Sequence, residues 1–273
     1  MTGCESLADA FARARSERRA ALIGYIVAGD PDMETTERVI DALTHAGVDI
    51  IELGIPYADP LADGPTIAAA AQRALGAGAT MRGAIDVATR AAARGCAPVV
   101  YFTYANPVDR MGVERFADEA AASGAAGALV PDIPLEECGP LRFALAGRGL
   151  ALPLLVAPST PKDRARAICG SSSGFVYVVS RVGVTGGRRR PDLAATAARV
   201  AELRGTTSLP IGVGFGISTP SDAAQVAAFA DGVVVGSAIV EAYAGVRGAE
   251  AARRAGDFAR DLAGAVRAGA VGA

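Results

Sequence analysis

Lysine and histidine are almost missing from this chain. Its 273 residues include one lysine, Lys162, one histidine, His45, and no tryptophan, every other basic residue being arginine. Lys162 falls in a Pro-Lys-Asp helix start, which leaves no lysine suited to a Schiff base, and one histidine cannot build the usual metal site. Cys4, Cys96, Cys138 and Cys169 lie far apart with no CxxC pair, so reduced thiols are expected rather than a disulfide or a zinc site. No apolar run approaches the roughly 20 residues that cross a bilayer, and the first residues mix acids and bases without a signal-peptide core. A cytoplasmic chain without membrane contact is expected. The 27 basic residues are scattered among 29 acidic ones, for a net charge of −2, which excludes the basic stripe of a nucleic-acid binder.

What is present is apolar and regularly punctuated. Hydrophobic residues make up 51% of the chain, enough for a large core. Ser6 to Arg19 reads as an amphipathic helix, with Leu7, Phe11 and Ala14 at helical spacing, placed to lie across the floor of a barrel. Strands are then expected at Ala21–Ala28, Asp49–Pro56, Pro98–Tyr104, Gly127–Asp132, Leu152–Pro158, Phe175–Ser180, Leu209–Gly216 and Gly232–Ser237. Helices fill the intervals, at Glu34–Ala46, Thr66–Leu75, Arg82–Arg94, Val113–Ala122, Leu135–Ala146, Pro161–Ile168, Leu193–Leu203 and Ser221–Phe229, with more toward the C-terminus. Strict alternation of this kind argues for a parallel sheet. Eight units without a composition break argue for closure into one (β/α)8 TIM barrel with an extra N-terminal helix, residues 1–273 forming a single domain.

The second strand carries an anomaly. Glu52 stands within the apolar run Ile50-Ile51-Glu52-Leu53-Gly54-Ile55, where a charged carboxylate costs several kcal/mol unless its pKa rises or a partner meets it. By alternation Ile50, Glu52 and Gly54 share the face that points into the barrel, while Ile51, Leu53 and Ile55 face the helices. The loop after this strand adds Asp59 and Asp63. A buried carboxyl with a raised pKa near an ionised one can divide acid and base work between them.

Barrel active sites lie at the C-terminal ends of the strands. That rule also selects Asp30, Tyr104, Asp132, Tyr177 and Thr185 as candidates. Asp30 and Asp132 sit where helices start and read as caps or turn formers; Tyr25, Tyr104 and Tyr177 read as core aromatics whose hydroxyls find a partner; His45 reads as a surface or helix-end residue. Three glycine turns come after consecutive strands: Gly183-Val184-Thr185-Gly186, Gly214-Phe215-Gly216 and Gly236-Ser237-Ala238. Together they can aim backbone N–H groups at one anion, so a phosphate on the substrate is expected. The nearby run Arg188 to Arg190 reads as a solvated loop.

Over essentially its whole length the chain resembles the tryptophan synthase α-subunit family. The resemblance rests on IELGIPYADPLADGPT from Ile51 to Thr66, with AGDP at Ala28, YANP at Tyr104, PDIPLEE at Pro131, SRVGVTG at Ser180, GVGFGIS at Gly212 and GSAIV at Gly236, all in family order. It implies cofactor-free cleavage of indole-3-glycerol phosphate to indole and glyceraldehyde 3-phosphate. Glu52 would move the protons at the indole C3 and the glycerol hydroxyl, and Asp63 would stabilise the indole nitrogen. Tyr177 and Phe215 would line the indole pocket, near Tyr104. Gly186, Gly216, Gly236 and Ser237 would hold the phosphate, and Thr185 would help to close the sixth loop. Asp59, with Pro60, would signal to a β subunit that carries pyridoxal phosphate, within an α-β-β-α heterotetramer. The same residues would serve a stand-alone lyase releasing indole for secondary metabolism. A barrel that only activates a partner, or another phosphosugar enzyme, would have less need of the acidic loop.

Overall fold

The computed structural model describes residues 1–180 and 192–270. Its strands are β1 (Ala21–Val27), β2 (Ile50–Gly54), β3 (Val99–Phe102), β4 (Gly127–Leu129), β5 (Leu154–Val156), β6 (Val176–Val179), β7 (Ile211–Gly214) and β8 (Gly232–Val235). All pair in parallel in the order β4-β3-β2-β1-β8-β7-β6-β5. The two ends of that order meet at a parallel bridge between Gly127 and Ala151, where Ala128 and Ala151 donate backbone hydrogen bonds of 2.9 and 3.0 Å across the seam. A Cβ on Gly127 would collide with the Ala151 carbonyl, so only glycine lets the sheet close here. The expected (β/α)8 barrel is thereby formed.

Before the barrel runs α1 (Gly3–Ser16), started by a capping box in which Thr2 and Glu5 bond each other's backbone N–H. Its Leu7, Ala10 and Phe11 enter the lower barrel interior, and the Phe11 and Phe175 rings lie 5.7 Å apart. The helix closes the floor, as its spacing predicts.

The remaining helices are α2 (Met33–Ala46), α3 (Pro65–Gly76), α4 (Met81–Ala93), α5 (Ala105–Met111), α6 (Val113–Ala122), α7 (Gly139–Ala146), α8 (Lys162–Ser171), α9 (Leu193–Arg204), α10 (Pro220–Ala227), α11 (Ser237–Ala242) and α12 (Gly248–Ala270). Strand alternation produces two apolar layers. Ile26, Ile51, Leu53 and Val178 pack outward on the helices, while Ile23, Tyr25, Ile50, Phe102, Tyr177 and Val234 fill the interior.

Several strands are shorter at their ends than the sequence reading, β4 stopping at Leu129 and β5 spanning Leu154–Val156, and three helical regions differ as well. Asn106-Pro107, read as loop, lies in the first turn of α5, where a proline's missing N–H costs nothing. The helix expected from Leu135 begins at Gly139, because Glu137 and Cys138 bond back to the Pro134 carbonyl in turns. Ser237, placed at the end of the eighth strand, instead opens α11. No helix among the described residues is long and apolar enough to cross a membrane.

Candidate active site

Glu52 lies where alternation puts it, on the inner face of β2, and it is 1% exposed. Its Oε1 has no hydrogen-bond partner among the described residues, and burial alone pushes its pKa from 4.5 up to about 8. A carboxyl in that state is neutral at pH 7 and holds a proton it can give away.

Above it a cavity open to solvent is lined by Tyr25, Glu52, Asp63, Tyr177, Phe215 and Ser237, among others. Asp63 comes from the loop after β2, held by a backbone bond from Asp63 N–H to the Pro60 carbonyl. Burial raises its pKa from 3.8 to about 6, against the lowering effect of a hydrogen bond from the Tyr104 hydroxyl. Asp63 is therefore ionised at the pH where Glu52 is protonated. The two carboxyls differ because Glu52 is more deeply buried and has no contact that lowers its pKa, whereas Asp63 has the Tyr104 phenol beside it.

Tyr177 and Phe215 form the aromatic wall, edge to face at 5.9 Å. Phe215 sits at φ 72°, a conformation rare outside glycine, with Gly216 next to it at φ 81°. The Ser180 hydroxyl donates to the Phe215 carbonyl and braces that turn. Gly236 and Ser237 complete the wall where α11 begins, and no side chain among the described residues caps that helix start.

One helix joins the acidic loop to this end of the cavity. It is α3, which starts directly after Asp63 and Gly64. Thr66 donates a 2.6 Å hydrogen bond to Glu241 of α11. Further along, Arg73 makes two 2.8 Å bonds to the buried Asp30 at the end of β1.

Most of the residues singled out in the sequence thus meet at one cavity: Glu52, Asp63, Tyr177, Phe215, Gly216, Gly236 and Ser237. Tyr104 stands behind Asp63, its hydroxyl accepting a 3.2 Å bond from Ala62 N–H and lying within electrostatic reach of the Asp63 carboxylate. Asp59 is exposed and Pro60 half-buried, on the outer part of the same loop. Thr185 and Gly186, with the rest of the glycine turn after β6 and the run Arg188 to Arg190, lie outside the described residues. Asp30 is no cap: Asp32 caps α2, and Asp30 pairs with Arg73. Asp132 does cap, but the neighbouring helix α5, through Ala105 N–H at 2.9 Å.

The sequence reading took Tyr25 as a core aromatic and did not single out Ile67, Phe102, Ile217 and Val234; all five line the cavity. For Tyr25 the signal was available, since it falls on the same parity of β1 as Ala21 and Ile23 and faces inward. No group of three His, Cys, Asp or Glu side chains among the described residues is placed to hold a metal ion. Lys162, 83% exposed, reaches Glu202 at 3.6 Å.

The chain and its fold have relatives among known proteins. A family model described as the tryptophan synthase alpha chain matches residues 11–265. The chain belongs to the tryptophan synthase alpha chain family. A tryptophan synthase alpha chain from Picosynechococcus sp. is 45% identical over 262 residues, covering 94% of this chain and 97% of the relative. Another, from Synechococcus elongatus, is 49% identical over 236 residues, with 86% and 88% covered. Among solved structures, a tryptophan synthase from Mycobacterium tuberculosis superposes with a TM-score of 0.88 at 39% identity, covering 96% of this chain and 98% of that one. An alpha subunit from Legionella pneumophila gives 0.87 at 30% identity, with 97% and 98% covered. Membership in the tryptophan synthase alpha chain family makes the chain a lyase-type subunit.

Proposed function

We propose that this chain cleaves indole-3-glycerol phosphate to indole and glyceraldehyde 3-phosphate in tryptophan biosynthesis, with Glu52 and Asp63 as its catalytic pair. The observation that carries the reading is the inward, neutral Glu52 facing the same cavity as an ionised Asp63. Glu52 gives its proton to the indole C3. The ring nitrogen becomes positive, and the Asp63 carboxylate meets that charge. The carbon–carbon bond then breaks, its electrons returning to the ring, while the glycerol hydroxyl beside the ring loses its proton to the Glu52 carboxylate and becomes the aldehyde. Glu52 ends as it began, and the ring has served as the electron store.

Tyr177 and Phe215 are placed to hold the ring, and Gly216, Gly236 and Ser237 to take the phosphate, with Thr185 and Gly186 joining from the sixth loop. Tyr104 sets the orientation and charge of Asp63. The chain needs no cofactor of its own in this scheme, and residues 1–273 act as one domain. Its partner is a β subunit that carries pyridoxal phosphate, in an α-β-β-α assembly contacted through Asp59 and Pro60. Four free thiols suit a reducing compartment, the cytoplasm.

The test is indole release from indole-3-glycerol phosphate by the purified chain, with and without a β subunit, beside Glu52→Gln. The expected result is a slow reaction alone, a large gain with the partner, and a loss of at least ~10²-fold in the variant. An unimpaired Gln variant overturns the assignment of Glu52. A high rate indifferent to the partner overturns the biosynthetic role in favour of a stand-alone lyase, and no release under either condition leaves only a barrel that activates a partner.

A further inference from the structure

Strand β1 separates the two ends of the site. On one side, a Cβ built on Gly236 would stand 3.5 Å from the Tyr25 Cβ. On the other, Tyr25 is the register partner of Glu52. A ligand with its phosphate at Gly236 and Ser237 and its reacting carbon at Glu52 therefore crosses β1, and the inward side chain at that height is Tyr25.

The phenol is held for such an encounter. Its hydroxyl lies over Gly54, in space that a Cβ on that residue would occupy, and its ring meets Phe102 edge to face at 5.3 Å. Tyr25 is only 6% exposed, yet it lines the cavity, and its hydroxyl has no hydrogen-bond partner among the described residues. Burial, together with Asp63, Tyr104 and Glu52 nearby, holds its pKa well above the usual phenol value. The group stays protonated and can act as a donor throughout the working pH range. A phenol at the wall of a cavity, with no hydrogen bond to the protein, is free to meet a ligand oxygen.

We propose that Tyr25 is a further catalytic residue of this site, its hydroxyl donating a hydrogen bond to the glycerol oxygen on the carbon attached to the indole ring. This rests on the lyase reading above. That oxygen loses its proton to Glu52 as the carbon–carbon electrons return to the ring, and it ends as the aldehyde oxygen. Negative charge builds on it during bond breaking, and a donor fixed in advance at that point lowers the barrier. Tyr25 keeps its own proton.

The test is Tyr25→Phe in the full chain with the β subunit present, since it removes one oxygen and keeps the ring. Three quantities are measured: kcat, KM for indole-3-glycerol phosphate, and the inhibition constant of an indole-3-alkyl phosphate of equal chain length that lacks both glycerol hydroxyls. The expected result is a fall of about 10-fold or more in kcat, with the inhibition constant unchanged within about 2-fold. The inhibitor has no oxygen at the proposed contact, so a packing role would weaken it along with the rate. Inhibitor binding that weakens as much as kcat falls, or a kcat within about 2-fold of the parent, overturns the inference. In the second case the parent's own activity shows that the lyase reading stands; a parent that releases no indole brings down both.

Discussion

The Tyr104 hydroxyl accepts the Ala62 N–H at 3.2 Å and stands close enough to the Asp63 carboxylate to lower its pKa. One phenol thus fixes both the backbone before Asp63 and its charge. Removing it in Tyr104→Phe takes away the only influence that lowers the Asp63 pKa, which then rises above about 6. The variant is expected to lose about 10-fold in kcat/KM near pH 6.5 and less at pH 8, where Asp63 ionises regardless. A pH–rate profile checks this: its lower limb must move up while its upper limb stays.

The parent profile should itself be a bell. The reaction needs Asp63 ionised, which fails below about 6, and Glu52 protonated, which fails above about 8. The optimum in kcat/KM is expected near neutrality. A rate that keeps rising to pH 9.5 would show that the protonated form of Glu52 is not the active one.

Glu52 also costs stability. Its folded pKa is raised, so between pH 4.5 and about 8 the folded state holds a proton that the unfolded chain releases, and stability falls as pH rises through that window. Glu52→Gln never ionises. The variant should therefore match the parent near pH 4 and exceed it by a few kcal/mol, in order of magnitude, at pH 8, read from urea or thermal unfolding at both pH values. Equal stability at both would mean that Glu52 finds a polar partner after all.

Asp59 tests the partner surface apart from the chemistry. It is exposed, four residues before Asp63, and close to Leu61, which is 71% exposed. Asp59→Ala is expected to leave the slow rate of the isolated chain within about 2-fold, because an exposed side chain away from the cavity contributes little to the folded state. Its stimulation by the β subunit should drop by about 10-fold or more, the usual effect of removing a charged group from an interface. Indole release titrated against the partner separates the two.

Much of this site is legible in the sequence because strand parity is a strong constraint. Glu52 shares its face with Ile50 and Gly54, and a one-residue slip would turn all three outward, so its inward position is dictated by the apolar run alone. Asp63, Phe215 and Ser237 were reachable because barrel sites gather at strand ends. The tyrosines show where that reasoning stopped. Tyr25, Tyr104 and Tyr177 look alike in sequence, yet one lies over Gly54, one reaches across to Asp63 from behind, and one lies over Gly214. Those differences depend on glycines and loops of other strands, which no local pattern reports. Gly127 is similar, since its need for a bare backbone comes from Ala151 across the seam. The pairing of Asp30 with Arg73 spans 43 positions, so a local reading could see only the helix start beside Asp30.

The bridge that α3 makes between Asp63 and α11 couples the acidic loop to the far end of the cavity. With Thr66 fastened to Glu241, and Arg73 to Asp30, the loop that carries Asp63 and the helix start at Ser237 are tied to one helix. The two ends of the cavity are then held relative to each other by the protein's own contacts before anything binds.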